Sequence, residues 1–269
     1  MSGLLLRLRA PIEERIDLSR LVAVARSRSA ATDLPRLAVG GGRRPLELGD
    51  AFIVSGDGGE RITLEGSSAL IDGVGAGLDG GEMIVEGVVG NDAGRGMKGG
   101  RLEIRGSAGN HLAAGLKGGL VNVTGSAGDL LGAPHPGERF GMAGGTVFVG
   151  GDVGERAGDR MRRGTIVVRG QIGPAAGARM MGGTIWTERG FGGGPGPLLR
   201  RGTLIGPRVD RLLPTFADCG IHDMVILRIL NRYVAETLGP LAPKPLPLMV
   251  RRIAGDLATI GKGEILLTA

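Results

Sequence analysis

Aromatic side chains are scarce in this sequence: one Trp, one Tyr and five Phe, 3% of 269 residues. An interior so poor in rings has to be packed from Val, Ile, Leu, Met and Ala, which suits narrow stacked layers better than a thick globular core. There is one cysteine, Cys219, so no internal disulfide can form. The chain does not open on a charged-then-apolar leader with a small-residue cleavage site, and the expected compartment is the cytoplasm. The longest apolar runs fall well short of the roughly 18 residues that span a bilayer, so no membrane association is expected. Charge of one sign is also not collected anywhere along the chain. The 33 Lys and Arg and 27 Asp and Glu give a net +6, but acids and bases alternate, as in Glu82, Arg101, Glu103 and Arg105. Without a basic stripe interleaved with aromatics, no nucleic-acid partner is expected.

Glycine, by contrast, is abundant: 54 residues, about a fifth of the chain against an ordinary share of roughly 7%. Hydrophobic residues make up 42%, enough to bury a core. Aligning the chain on Gly-Gly or Arg-Gly pairs places the second residue at Gly81, Gly100, Gly119, Gly145, Gly164, Gly183 and Gly202, with spacings of 19, 19, 26, 19, 19 and 19. The 26 is 19 plus a seven-residue insertion between Gly132 and Gly141 that contains Pro134, His135 and Pro136. Two and four residues after each such Gly stand apolar side chains, as in Met83 and Val85, Leu102 and Ile104, Val121 and Val123, Ile166 and Val168. That period of two predicts a strand. Further glycines follow at fixed offsets, such as Gly106 and Gly109. They predict corners, through positive φ or through close approach of successive coils. Each unit closes on Met97, Leu116, Met142, Met161, Met180 or Leu199.

A unit of this length cannot bury its apolar residues alone and must stack on copies of itself. The expected fold is all-β: a right-handed parallel β-helix of about seven or eight coils over residues 44–206, at roughly 4.8 Å per coil. Ile62 and Leu64 fit the strand pattern, and Leu46 and Leu48 fit it loosely. Residues 1–43, with a strand from Leu4 to Arg9 and an apolar stretch from Leu18 to Val24, are expected to cap one end. Residues 207–269 are expected to cap the other. There, apolar spacing predicts a helix from His222 to Leu238, the prolines at 240, 243, 245 and 247 forbid helix, and two short strands follow at Leu248–Ile253 and Ile265–Leu267.

The chemistry-bearing residues do not assemble into a motif. Gly94-x-Gly96-x-x-Gly99 and Gly75-x-Gly77-x-x-Gly80 satisfy the dinucleotide fingerprint, but each runs into another strand rather than a helix, so no nucleotide site is expected. His111 falls at a repeat position held elsewhere by Asp92, Leu130, Arg156 and Ala175 and reads as a solvated corner. Cys219 and His222 have the spacing of half a zinc site without a second pair. Glu82, Glu86, Asp92, Glu103, Asp129 and Asp152 occupy unlike positions and read as solvated outer-face charges rather than a glycosidase pair. No catalytic, cofactor-binding or metal-binding residue is expected on this chain. Three residues stand out as interface candidates: His135 in the insertion, and Phe148 and Trp186, rings at one outward position where other units carry Glu103 and Asn122.

These Gly-rich coils resemble the domain shared by the C-terminal part of the glutamate synthase large subunit and by the C-subunit of formylmethanofuran dehydrogenase. The chain's size and its flanks favour the C-subunit family: an opening like Leu4 to Leu21, the segment Leu213-Pro214-Thr215-Phe216, and the closing Gly255-Asp256-Leu257 and Gly261-Lys262-Gly263-Glu264. The resemblance implies a non-catalytic structural and assembly component of a hetero-oligomer handling formyl groups. One such complex transfers a formyl group from formyl-tetrahydromethanopterin to methanofuran or an analogue and hydrolyses the product to formate. Its implied partners are a zinc-type amidohydrolase-like A-subunit, a B-subunit and a formyltransferase D-subunit. The partners carry the metal and use the methanofuran and tetrahydromethanopterin derivatives. The alternatives are the C-subunit of a molybdenum or tungsten formylmethanofuran dehydrogenase, and a stand-alone β-helix enzyme. A composition rich in Arg over Lys, and in Ala and Gly, suggests a high-GC bacterium and favours the hydrolytic complex.

Overall fold

The computed structural model describes residues 3–26, 30–40, 46–56 and 59–268. In chain order the strands are β1 (Leu4–Leu8), β2 (Ile16–Asp17), β3 (Phe52–Ser55), β4 (Arg61–Glu65), β5 (Ile71–Asp72), β6 (Asp79–Glu86), β7 (Gly99–Ile104), β8 (Leu120–Val123), β9 (Ala143–Val149), β10 (Arg163–Val168), β11 (Thr184–Thr187), β12 (Arg201–Gly206), β13 (Ala217–Asp223), β14 (Met249–Gly255) and β15 (Lys262–Leu267). Among the described residues four α-helices accompany them, α1 (Leu21–Ala25), α2 (Ala30–Asp33), α3 (Leu48–Ala51) and α4 (Ile226–Leu238), with a 3-10 turn at Gly239–Leu241. The regular structure is therefore mostly strand. Thirteen strands form one sheet in the order β13-β14-β15-β12-β11-β10-β9-β8-β7-β6-β4-β1-β3.

From β4 to β12 the sheet follows the chain, and every neighbouring pair is parallel. Register keeps equivalent residues side by side: Met83 beside Leu102, Leu102 beside Val121, Val147 beside Ile166, Ile185 beside Leu204. Their side chains are all fully buried, as are the closing residues Met97, Leu116, Met142, Met161, Met180 and Leu199. Burying each such aliphatic group stabilises the fold by about 1.5–3 kcal/mol relative to leaving it in water. Successive repeats meet again beyond the strands, through parallel bridges that run Ala108–Ala127–Val153–Ile172–Phe191–Val209. They meet a third time at the repeat's end, where Lys117 N–H bonds Met97 C=O at 2.8 Å and Arg162 N–H bonds Met142 C=O at 2.8 Å.

The two roles foreseen for glycine fall on different positions. Gly100, opening its strand, has φ +75°, whereas Gly106 has ordinary φ but would place a Cβ 2.4 Å from the Gly87 carbonyl carbon. One inward strand position is polar. Thr187 is buried in line with Val168, and its hydroxyl donates to Gly170 C=O at 2.6 Å and accepts from Gly190 N–H at 3.1 Å.

The flanks extend the same sheet. β1 pairs parallel with β4 and antiparallel with β3, while β15 adds parallel to β12 and is followed outward by antiparallel β14 and β13. Two expectations change here. Leu48 begins a helix rather than a coil strand. The C-terminal helix starts at Ile226, because residues 217–223 pair with β14, His222 opposite Val250. The junction foreseen between residues 43 and 44 lies outside the described residues.

Candidate functional site

The insertion after Gly132 is the one break in the repeat, and it folds back on the edge of the stack. His135 Nε2 meets the Asp92 carboxylate, and its ring stacks on His111 with centroids 4.3 Å apart and planes 19° from parallel. His111 and Asp92 share the corner position anticipated for them, both with positive φ (58° and 63°). His111 is not a solvated corner, however: it is half-buried, and its Nδ1 is buried without a partner among the described residues. Burial first, and the neighbouring His135 second, hold its pKa below the ordinary imidazole value, against the pull of Asp92. Glu138 accepts the His135 backbone N–H at 3.0 Å and an Arg95 guanidinium N–H at 2.9 Å. The His135 hydrogen bond chiefly keeps the Glu138 carboxyl below its ordinary range, opposed by partial burial and assisted by Arg95.

Beside this clasp lies an open cleft of about 460 Å³, lined by Arg95, Lys117, Glu138, Phe140, Ala143 and Arg162 among others. Phe140 lies between elements, with the guanidinium carbons of Arg139 and Arg162 at 4.9 and 4.5 Å from its ring centre. One repeat on, the buried Asp159 carboxylate takes Arg156 at 2.6 Å and Arg179 at 2.5 Å. The sequence reading singled out His135 but missed Glu138, Phe140 and Arg162. A ring and an acid inside the only insertion of a ring-poor chain were the available signal.

Phe148 and Trp186 do share an outward column, but they are not exposed. They are 2% and 3% accessible and pack with Val167, Ile205 and Leu266 under α4, which supplies Leu227, Val234 and Leu238. Tyr233 anchors the same helix through a 2.7 Å hydrogen bond to the Thr146 hydroxyl. The expectation of exposed rings is corrected by the chain's own C-terminal helix. Its uncovered side leaves Ile226, Ile229 and Tyr233 exposed, around a cleft of about 220 Å³ against Thr184 and Thr203.

The other candidates serve the stack. Asp129 and Asp152 are not simply solvated: Asp129 accepts the Glu155 N–H at 2.8 Å, and Asp152 the Gln171 N–H at 2.8 Å, one repeat on. Asp129 continues a ladder that runs through Asp72, Asn91 and Asn110, and Asp152 continues a separate one through Ser107 and Ser126. Glu82 pairs with Arg61 and Arg101 and Glu86 with Arg105 across neighbouring strands, while Glu103 pairs with Arg101 and Arg105 along its own. His222 Nε2 meets the backbone carbonyl of Cys219 at 2.8 Å, and the Cys219 thiol meets Ala217 C=O, so each side chain is engaged with a backbone carbonyl. Among the described residues, no cluster of three or more His, Cys, Asp or Glu side chains is placed to hold a metal ion, and no helix is long and apolar enough to cross a membrane.

No protein-family model matches the chain. It is 45% identical over 85 residues to the C-subunit of the formyltransferase/hydrolase complex Fhc of Methylorubrum extorquens, and this aligned stretch spans about a third of each protein (32%). Over nearly its whole length it matches a chain of the crystal structure of the formyltransferase/hydrolase complex FhcABCD from Methylorubrum extorquens in complex with methylofuran. That match has a TM-score of 0.89 and 39% identity, covering 98% of this chain and 99% of that one.

Proposed function

This chain belongs to the C-subunit family of formyltransferase/hydrolase complexes, and we propose on that premise that its role is non-catalytic, one of structure and assembly. The reaction it supports is transfer of a formyl group from formyl-tetrahydromethanopterin to methanofuran or an analogue, followed by hydrolysis to formate. The observation that carries this reading is the end-to-end structural match to a chain of a complex solved with methylofuran. Its partners are then an amidohydrolase-like A-subunit with its zinc-type metal, a B-subunit and a formyltransferase D-subunit, working in the cytoplasm.

The architecture suits the role. We read the parallel strands, the bridge line beyond them and the third line at the repeat ends as the faces of a right-handed β-helix over residues 44–206, flanked by caps at 1–43 and 207–269. A stiff rod offers long faces to partners. His135 of the insertion is engaged with His111 and with Asp92, and neither ring has a hydrogen bond to a hydroxyl or thiol among the described residues. With Phe148 and Trp186 covered, partner contacts run through the His135 loop and the uncovered side of α4.

Affinity purification of the tagged chain from its own cells tests this. Recovery with an amidohydrolase and a formyltransferase is the expected result. Co-purifying molybdopterin and iron–sulfur proteins would assign it to the redox complex instead, and a chain recovered alone would overturn the scaffold reading.

A further inference from the structure

Residues that the sequence scatters at intervals of nineteen are gathered by the fold into one column. The residue after each closing Met or Leu donates its N–H to the closing residue of the preceding repeat: Lys98 to Leu78 at 2.7 Å, Lys117 to Met97 at 2.8 Å, Ala143 to Leu116 at 2.7 Å, Arg162 to Met142 at 2.8 Å, Met181 to Met161 at 2.8 Å and Arg200 to Met180 at 2.9 Å. These six positions therefore stack one per repeat, roughly 4.8 Å apart. Four carry a cation. Lys98, Lys117, Arg162 and Arg200 are exposed, and none has a carboxylate within ion-pair distance among the described residues.

On the sheet several cations are matched by acids: Arg61 is paired with Glu82, Arg105 with Glu86 and Glu103, and Arg251 with Asp218. The acids that do reach the column are already engaged. Asp79, at its start, holds Arg26, and Glu138 holds Arg95. Lys98, Lys117, Arg162 and Arg200 are thus left as a row of cations without an acid partner among the described residues.

Where the column residue is Ala143, the small side chain opens the 460 Å³ cleft between Lys117 and Arg162. Arg139 and Arg162 stack on Phe140 at its margin. A guanidinium stacked on a ring keeps its in-plane N–H donors free for a carboxylate and has little freedom left to lose on binding.

We propose that this column is the docking surface for an extended acidic segment of another protein of the complex, with one of its side chains seated in the cleft over Ala143. The inference rests on the reading of this chain as part of a hetero-oligomer. An extended peptide presents alternate side chains on one side, roughly 6.7 Å apart, within reach of flexible Lys and Arg side chains stacked at roughly 4.8 Å. Single-stranded nucleic acid fits less well, because it binds through free aromatic faces, and the one ring here already carries two guanidiniums.

The test uses the full chain with Lys117→Glu and Arg162→Glu together, and a control with the same charge change elsewhere, Arg36→Glu with Lys244→Glu. Binding of a fluorescein-labelled glutamate-rich octapeptide is followed by anisotropy, with urea melts confirming that all three proteins are folded. The wild type and the control bind, and more weakly as salt shortens the screening length below about 10 Å. The column variant binds at least about tenfold more weakly. Equal binding by the column variant, or tighter binding of an oligothymidylate than of the peptide, would overturn the proposal. In its own cells the column variant also loses a partner that the control retains, and retention of every partner counts against the proposal. If even the wild-type chain is recovered alone, the scaffold reading fails, while the peptide measurement still decides the column.

Discussion

The outer face of the sheet has two halves built on the same inner column, and they are finished differently. Along one outward position the residues run Ile84, Glu103, Asn122, Phe148, Val167, Trp186, Ile205, Leu266. Up to Asn122 the face is closed by ion pairs such as Arg105 with Glu86 and Glu103. From Phe148 on it is apolar and closed by α4. The inner columns of the two halves are alike, so fold stability is shared. The difference is that the second half depends on a helix brought back from the far end of the chain, which makes it the half whose finish can be removed.

Trp186→Ala breaks that dependence most directly. It empties the centre of the second cluster, and the expected loss is about 3–5 kcal/mol in urea unfolding followed by far-UV circular dichroism. A loss below about 1 kcal/mol would mean that α4 does not stay on the sheet in solution. Asn122→Val is the next test, at the border of the two halves. Asn122 is 3% accessible and its side-chain oxygen has no partner among the described residues. Replacing an unsatisfied buried amide by a similar apolar shape stabilises the fold by about 1 kcal/mol in the same melt. Destabilisation instead would show that the amide N–H group holds something the polar half needs.

The inner column was legible in the sequence because its signal is local and repeated: two apolar residues on alternate positions, a closing Met or Leu, and fixed glycines. The finish was less legible, for two reasons. Phe148 and Trp186 were seen as an outward pair, but Val167 and Ile205 between and beyond them were not read as part of the same column. Four successive apolar residues there demand a cover, which α4 supplies with Leu227, Val234 and Leu238. The site was legible only at His135. Its partners Asp92 and His111 lie 43 and 24 residues earlier, and only stacking brings them together. The basic column was hidden in the same way.

The polar half also carries the pH sensitivity, because the insertion clasps it through His111 and His135. His111 has its pKa lowered in the folded chain, by burial and by His135, with Asp92, Arg95 and Glu138 also facing it. The unfolded chain therefore takes up the proton first. The contribution to stability is fully present above the ordinary value of 6.5 and is lost as pH falls through the lower folded value. Urea midpoints of the wild type are expected to fall across that window, and those of His111→Gln to fall less. Parallel curves would place the sensitivity elsewhere.

The smallest effect is expected from Glu103→Gln. Glu103 faces Arg105 at 2.9 Å and Arg101 at 3.5 Å, but Arg105 keeps Glu86 and Arg101 keeps Glu82. Exposed pairs of this kind contribute roughly 0.2–1 kcal/mol, and here the lost one is partly replaced by its neighbours. The expected change is within about 0.5 kcal/mol and shrinks further with added salt, since screening weakens the wild-type pairs first. A loss above about 1 kcal/mol that salt leaves untouched would mean that the ladder of charges, and not the aliphatic column beneath it, holds the polar half together, and the two halves would then differ in their cores as well as in their covers.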